Sequence, residues 1–275
     1  MKRRAIATFQ PTTLLLDVSA TAIAAGKLLL RNVSRHRLVH FKGKINLVTE
    51  MDLRSEKLIV ARLRKLLPDA SFLAEEGSAV ENDASYKWVI DPLDGTTNYA
   101  HTFPIWCVSI ALEWLGEIVL GCVYDPNRDE LFTAVRGKPA RLNGRLIRVS
   151  ERRRLDQSLL ATGFPYDVQT SSINNLDHFV RFAKTARAVR RAGSAALDLC
   201  YLAMGRFDGF WELKLHPWDT AAGTLIVKQA GGRVTDFRGK PYSIYSENLL
   251  ASNNAIHSQM IRVLTASNRV VHGKS

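Results

Sequence analysis

From Val108 to Asp125 the chain reads VSIALEWLGEIVLGCVYD, two apolar runs rich in β-branched residues that meet at Gly116. That pattern predicts a tight antiparallel hairpin. YKWVID precedes it and ELFTAVRG continues it, so the middle of the chain reads as a meander. Upstream, apolar residues recur at helical spacing from Thr13 to Arg31, and a second helix is expected from Leu53 to Leu67, ended by Pro68.

After Val149 strands and helices alternate. SLLATGF reads as a buried strand, followed by a helix over Asn175–Thr185, a short strand over Ala188–Arg190 and a helix over Ser194–Met204. FDGFWE then gives a strand, Thr220–Ala230 a helix closed by Gly231 and Gly232, and GRVTDF a further strand. The change sets a lobe boundary at residues 146–156. Residues 1–150 are expected to form an N-terminal α+β lobe and 151–275 a C-terminal α/β lobe, without internal repeats or low-complexity tracts.

A chain of 275 residues, 46% hydrophobic and 23% charged, has the composition of a folded soluble enzyme and excludes extended disorder. The N-terminus opens like a signal peptide, but residues 10–13 (QPTT) break the apolar segment early, and Asp17 and Lys27 break the apolar residues beyond them. No membrane span is expected. Cys107, Cys122 and Cys200 lack CxxC spacing and lie among apolar residues, as reduced core cysteines of a cytoplasmic protein would. The net charge of +12 is compatible with nucleic acid, an acidic partner or an anionic substrate. It is dispersed, thickening at Lys2–Arg4, Arg31–Lys44, Arg152–Arg154 and Arg187–Arg191 without interleaved aromatics, which reads as a solvated basic surface with at most weak nucleic-acid or ribonucleoprotein association.

The chemistry concentrates in WVIDPLDGTTNYAHTFP. A strand ending at Asp91, turned by Pro92 and released at Gly95, lets Asp91 and Asp94 converge outside the sheet, and two converging anions call for a cation. Magnesium suits such hard oxygen donors, and the turn exposes the Leu93 carbonyl to the same ion. Both aspartates are also ordinary turn formers, so this motif alone leaves both readings open. The amides of GTTNY offer a neighbouring phosphate site. The DxxDGT spacing differs from the DxDGT of haloacid-dehalogenase phosphatases, which suits metal-holding aspartates with water as the nucleophile. Glu75 and Glu76 end a short apolar strand in FLAEEGS. Asp52 opens a helix, where a capping box with Thr49 would explain it equally well, and Asp219 sits in the first turn of a small-residue helix as a cap or dipole partner. The recurrence of an apolar approach followed by an exposed acid points to one shared cation site.

AEEGS, WVIDPLDGTTNYAHTFP and WDTAAGTLIVKQAGG, in this order and spacing, resemble the signature motifs of the inositol monophosphatase family, and RRAGSAALDLCYLAMGRFDGFWE is similar to its bacterial branch. The likeness runs from about Asp17 to His257. It implies a layered α-β-α-β-α sandwich, an antiparallel sheet followed by a mixed one, in a homodimeric, lithium-sensitive enzyme using two or three magnesium ions per site. By the same resemblance Glu75, Asp91 and the Leu93 carbonyl hold one ion, and Asp91, Asp94 and Asp219 a second. Thr96, paired with Asp52, activates the water, which Glu75 polarises through the first ion. Gly95 and Thr96 give amides to the phosphate; Gly193, Ser194, Ala195 and Glu212 hold the alcohol, and Arg190 lies on the substrate side. Leu93, Asp94 and Asp219 border substrate as well as metal. Asn46 departs from the aspartate common in relatives, and Lys42 fits the lysine of a KG pattern, with Lys44 close by.

The implied reaction is hydrolysis of the phosphate monoester of a small polyol, inositol 1-phosphate above all, by in-line attack of a metal-activated water. Histidinol phosphate, fructose bisphosphate and nucleotide phosphates are the alternative substrates. An RNA- or ribonucleoprotein-associated factor with a secondary phosphatase site is the alternative outside the enzyme class.

Overall fold

The structure is a computed structural model. It describes residues 10–33, 39–41, 47–78 and 85–266, the side chains of 39–41 and 47–49 excepted. Asn46, Lys42 and Lys44 therefore lie outside the described residues.

Helices α1 (Leu15–Asn32) and α2 (Glu50–Leu66) enclose a two-stranded ribbon, β1 (Val39–Phe41) and β2 (Leu47–Thr49). A seven-stranded sheet follows: β3 (Ser71–Ala74), β4 (Tyr86–Asp94), β5 (Cys107–Trp114), β6 (Glu117–Asp125), β7 (Glu130–Val135), β8 (Arg141–Leu142) and β9 (Arg145–Leu146), with the short helix α3 (Thr96–Ala100) after β4. Its strands lie in sequence order and pair antiparallel, except that β3 runs parallel to β4. A parallel pair needs a long return, and 11 residues of sequence separate β3 from β4. The chain then builds β10 (Leu159–Thr162), α4 (Leu176–Thr185), β11 (Ala188–Arg190), α5 (Ala195–Ala203), β12 (Gly209–Leu213), α6 (Pro217–Gln229), β13 (Arg233–Thr235), β14 (Asn248–Ser252) and α7 (His257–Thr265). These strands form a mixed sheet in the order β11-β10-β12-β14-β13. Strand β14, between β12 and β13, and helix α7 were not expected from the sequence, and α6 starts at Pro217 rather than Thr220.

Three buried clusters define the layers. Because side chains alternate across a strand, Trp88, Ile90, Ile110, Leu112, Leu120 and Cys122 pack under α1 and α2. Val89, Ala111, Val123 and Phe132 face α5 and α6. Helices α5 and α6 also pack on Ala161, Phe210 and Leu249 of the second sheet, whose far side holds Trp211 and Leu250 against Phe182 of α4 and Met260 and Leu264 of α7. The result is an α-β-α-β-α sandwich with α5 and α6 as its central layer. Pro11–Asn32 is long and apolar enough to cross a membrane by length and composition (22 residues, mean hydropathy 1.6). Its Val18, Ala22, Ala25 and Leu29 are fully buried against the first sheet, so here it serves as a core helix.

The central layer is thin because small residues face it. A Cβ on Gly121 would lie 2.8 Å from the carbonyl oxygen of Ala222, so only glycine lets β6 and α6 approach this closely. Gly121→Ala is expected to force sheet and helix apart and cost about 1 to 3 kcal/mol, the range typical of an overpacked core. A shifted denaturation midpoint with an unchanged m-value is the check.

Candidate active site

The two aspartates of DPLD converge because β4 is irregular there. Asp91 pairs with Ser109 and Asp94 with Cys107, so one extra residue is bulged out between them. In a regular strand, residues three apart point to opposite faces; the bulge returns Asp94 to the side of Asp91. Both are buried, 1% and 8% exposed. Gly95 follows at φ +100°, and a Cβ there would sit 2.8 Å from the carbonyl oxygen of Ile105, so a side chain is excluded on both counts.

Helix α2 supports this turn with residues at i, i+3 and i+4, which share one helical face. Asp52, fully buried, accepts a hydrogen bond from Thr96 Oγ1 at 3.2 Å, and Thr96 Oγ1 also lies 3.1 Å from the Leu93 carbonyl. Ser55 Oγ donates to the Pro92 carbonyl at 2.8 Å. Glu56 accepts from the amides of Glu76 and Ser78, at 2.8 and 3.0 Å, and so fixes the turn that carries Glu75. The side chain of Thr49, the capping partner considered for Asp52, lies outside the described residues.

The second half of the chain closes the cleft. Asp94 Oδ2 accepts from Ser194 Oγ at 2.6 Å and from the Ala196 amide at 2.8 Å, so the N-terminus of α5 is aimed at it. Asn98 donates to the carbonyls of Ile105 and Ala192, at 2.7 and 2.9 Å, tying α3 to the segment before α5. Asp219 is the third residue of α6, and its Oδ2 accepts from the His216 amide at 2.7 Å. The capping role foreseen for it is thus real, and it occupies only one oxygen.

Glu75, Asp91, Leu93, Asp94, Gly95, Thr96, Gly193, Ser194, Ala195, Glu212 and Asp219 all line one cleft. Asp52 stands behind it, reaching it through Thr96. Arg190 does not line it: exposed at the end of β11, it donates to the Val189 carbonyl at 3.1 Å, and the guanidinium at the cleft is that of Arg191. Neighbours at a strand end point apart, so choosing between two adjacent arginines needs the three-dimensional register. Asp198 and Gly163 line the cleft as well and were not singled out in the sequence.

The charges in this cleft are unbalanced. Burial pushes the Asp91 carboxyl well above the usual range, and Glu75, Asp94 and Asp219 push it further. Burial raises Asp94 too, against the opposing Ser194 hydroxyl and α5 amides. Asp219, enclosed by protein yet open to the cleft on one side, is raised to about 7 by burial and by Asp94. Glu212 is raised to about 8 by burial, then Asp219 and Asp94, with Arg191 opposing. Among the described residues no three acidic, histidine or cysteine side chains form a ready-made ligand cage. Four carboxylates and one carbonyl nonetheless share one cleft with too little positive charge, and a hard divalent cation fits that donor set.

The model of the inositol monophosphatase family matches residues 12–269. The chain is 42% identical over 252 residues to a Pseudomonas aeruginosa protein named Nus factor SuhB, covering 88% of this chain and 92% of that one. It is 41% identical to a Synechocystis inositol-1-monophosphatase, covering 92% and 89%. The solved structure of inositol monophosphatase from Anabaena superimposes with a TM-score of 0.85 at 41% identity, covering 92% of this chain and 95% of that one. Sequence motifs, layered fold and matches over nearly the whole chain therefore agree that this chain belongs to the inositol monophosphatase family, a family of metal-dependent phosphatases.

Proposed function

We propose that the chain is a magnesium-dependent phosphatase that hydrolyses the phosphate monoester of a small polyol, with inositol 1-phosphate preferred. The observation that carries the reading is the convergence of Glu75, Asp91, Asp94 and Asp219 on one cleft beside the Gly95–Thr96 amides. Glu75, Asp91 and the Leu93 carbonyl would hold one ion, Asp91, Asp94 and Asp219 another, with room in the family pattern for a third. Magnesium there supplies charge to offset the phosphate and acidifies water for attack at neutral pH. Asp52 fixes the Thr96 hydroxyl, whose lone pairs orient the attacking water. The Gly95 and Thr96 amides hold the phosphate, and Gly193, Ser194, Ala195 and Glu212 receive the alcohol. Homodimerisation, lithium sensitivity, a cytoplasmic location and a division into lobes at 1–150 and 151–275 belong to this reading through the family resemblance and the sequence.

Thr96→Val keeps the shape of the side chain and removes the hydroxyl. It is expected to lower kcat by about 10²-fold or more with KM changed far less, since proton handling is lost while binding is kept. The substrate assignment is tested by phosphate release from inositol 1-phosphate, histidinol phosphate, fructose 1,6-bisphosphate and a nucleoside monophosphate at equal concentration. The highest kcat/KM is expected on inositol 1-phosphate; a tenfold preference for another of the four replaces it.

A second reading is favoured by two observations, the net charge of +12 and the relatives named Nus factor SuhB. It is association with RNA or a ribonucleoprotein, with the phosphatase site secondary. Binding through phosphate contacts alone falls steeply with salt. Salt-resistant, sequence-selective RNA binding would make this reading the primary one.

A further inference from the structure

Helix α5 carries one acid where its surroundings ask for none. Every residue from Ala195 to Ala203 is buried, and the helix forms the middle of the central layer. Asp198 sits within it, 1% exposed, between Leu197 and Leu199. It does not cap the helix, because Ser194 does so by accepting from the Leu197 amide. Its Oδ1 is buried without a hydrogen-bond partner among the described residues, and the residue lines the cleft. A buried acceptor left unmet costs stability that an alanine or leucine would not, so the carboxylate calls for a donor from outside the protein.

Asp198 does not stand alone. Glu212, on β12, lines the same cleft and is 8% exposed. Its carboxylate lies over Gly163, where any Cβ would collide with it, so the glycine keeps the space that Glu212 occupies. The Arg191 guanidinium acts on both carboxyls, partly opposing the rise that burial imposes on each. Asp198 and Glu212 are thus two further carboxyls lining the cleft beside the four assigned to metal; Asp94 acts on both, and Arg191 partly opposes it.

We propose that Asp198 is a specificity-determining residue which, with Glu212, accepts hydrogen bonds from two hydroxyls of the substrate's alcohol and so selects polyols over phosphate esters that lack them. The inference rests on the phosphatase reading above and extends it to substrate choice. The unpaired oxygen of Asp198, beside Glu212, penalises an alcohol that brings no donor, because the site is then left unpaired when water is expelled. A ring bearing several hydroxyls satisfies both. Histidinol brings an ammonium group and an imidazole N–H in place of ring hydroxyls, so it meets the charge of the two carboxyls without a polyol's set of donors.

The test is kcat/KM for inositol 1-phosphate, histidinol phosphate and p-nitrophenyl phosphate, measured in magnesium on wild type and Asp198→Asn. The ratio of inositol 1-phosphate to p-nitrophenyl phosphate is expected to fall about tenfold or more in the variant, mainly through KM. Asp198→Ser serves if the asparagine variant does not reach the wild-type thermal midpoint. A ratio within twofold of wild type in a folded variant overturns the role of Asp198 and leaves the phosphatase reading standing. A wild-type preference for histidinol phosphate that the substitution erases overturns the polyol assignment. If wild type releases phosphate from none of the three esters, the phosphatase reading fails and this inference with it.

Discussion

Asp91→Asn is expected to lower kcat/KM for inositol 1-phosphate by at least about 10³-fold and, in chelator at pH 8, to stabilise the fold by about 1 to 3 kcal/mol. The opposite signs share one cause. Asp91 is buried and faces Glu75, Asp94 and Asp219, so its charge is a liability in the metal-free protein. Asparagine keeps its size and an oxygen for the Leu93 amide, which donates to Asp91 at 3.0 Å. Without that charge the cleft loses the group assigned to both ions. Steady-state kinetics and thermal unfolding of the same two preparations read both effects. A variant that keeps more than a tenth of wild-type activity would remove Asp91 from the site, and one that loses activity and stability together would make it a structural residue.

The second large effect is the pH dependence of stability without metal. Glu212 titrates at about 8 in the fold against an ordinary value of 4.5, and Asp219 at about 7 against 3.8. Between those values the unfolded chain has released protons that the folded one still holds, so rising pH favours unfolding. The stability these groups contribute is complete below about pH 4 and lost as pH climbs through 7 to 8. For buried Glu212 alone the loss is on the order of 4 kcal/mol. In chelator the midpoint of thermal unfolding should therefore drop by about 10 °C between pH 5 and pH 8. Saturating magnesium should recover most of that drop, because a bound cation favours the ionised carboxylates. Parallel curves with and without magnesium would show that the cleft does not take the ion.

Much of this site was legible in the sequence because its acids interrupt patterns. Asp91 and Asp94 end an apolar strand at a proline, Glu75 ends another, and Asp219 opens a helix of small residues. The layers were legible only through the family resemblance; in the structure, alternation along Trp88–Ile90 and Ile110–Leu112 sends neighbouring residues to opposite faces and so builds them. Asp198 was hidden because an acid inside AALDLCYLA looks like an ordinary helix position until both sheets close over it. Ser55 and Glu56 were hidden because their partners, the Pro92 carbonyl and the Glu76 and Ser78 amides, are distant in sequence and belong to the backbone. The parallel pairing of β3 with β4 depends on the return of a connection, which local pattern does not encode. The bulge that unites Asp91 with Asp94 was visible only as Pro92; strand period alone would have parted the two aspartates.

The central claim is that these carboxylates work through a divalent cation on a phosphate monoester. It is tested most directly by phosphate release from inositol 1-phosphate with one preparation measured before chelation, after chelation with metal removal confirmed by elemental analysis, and after magnesium is restored. The account predicts turnover, then none, then turnover again at the original rate. Undiminished phosphate release from the metal-free protein would contradict it.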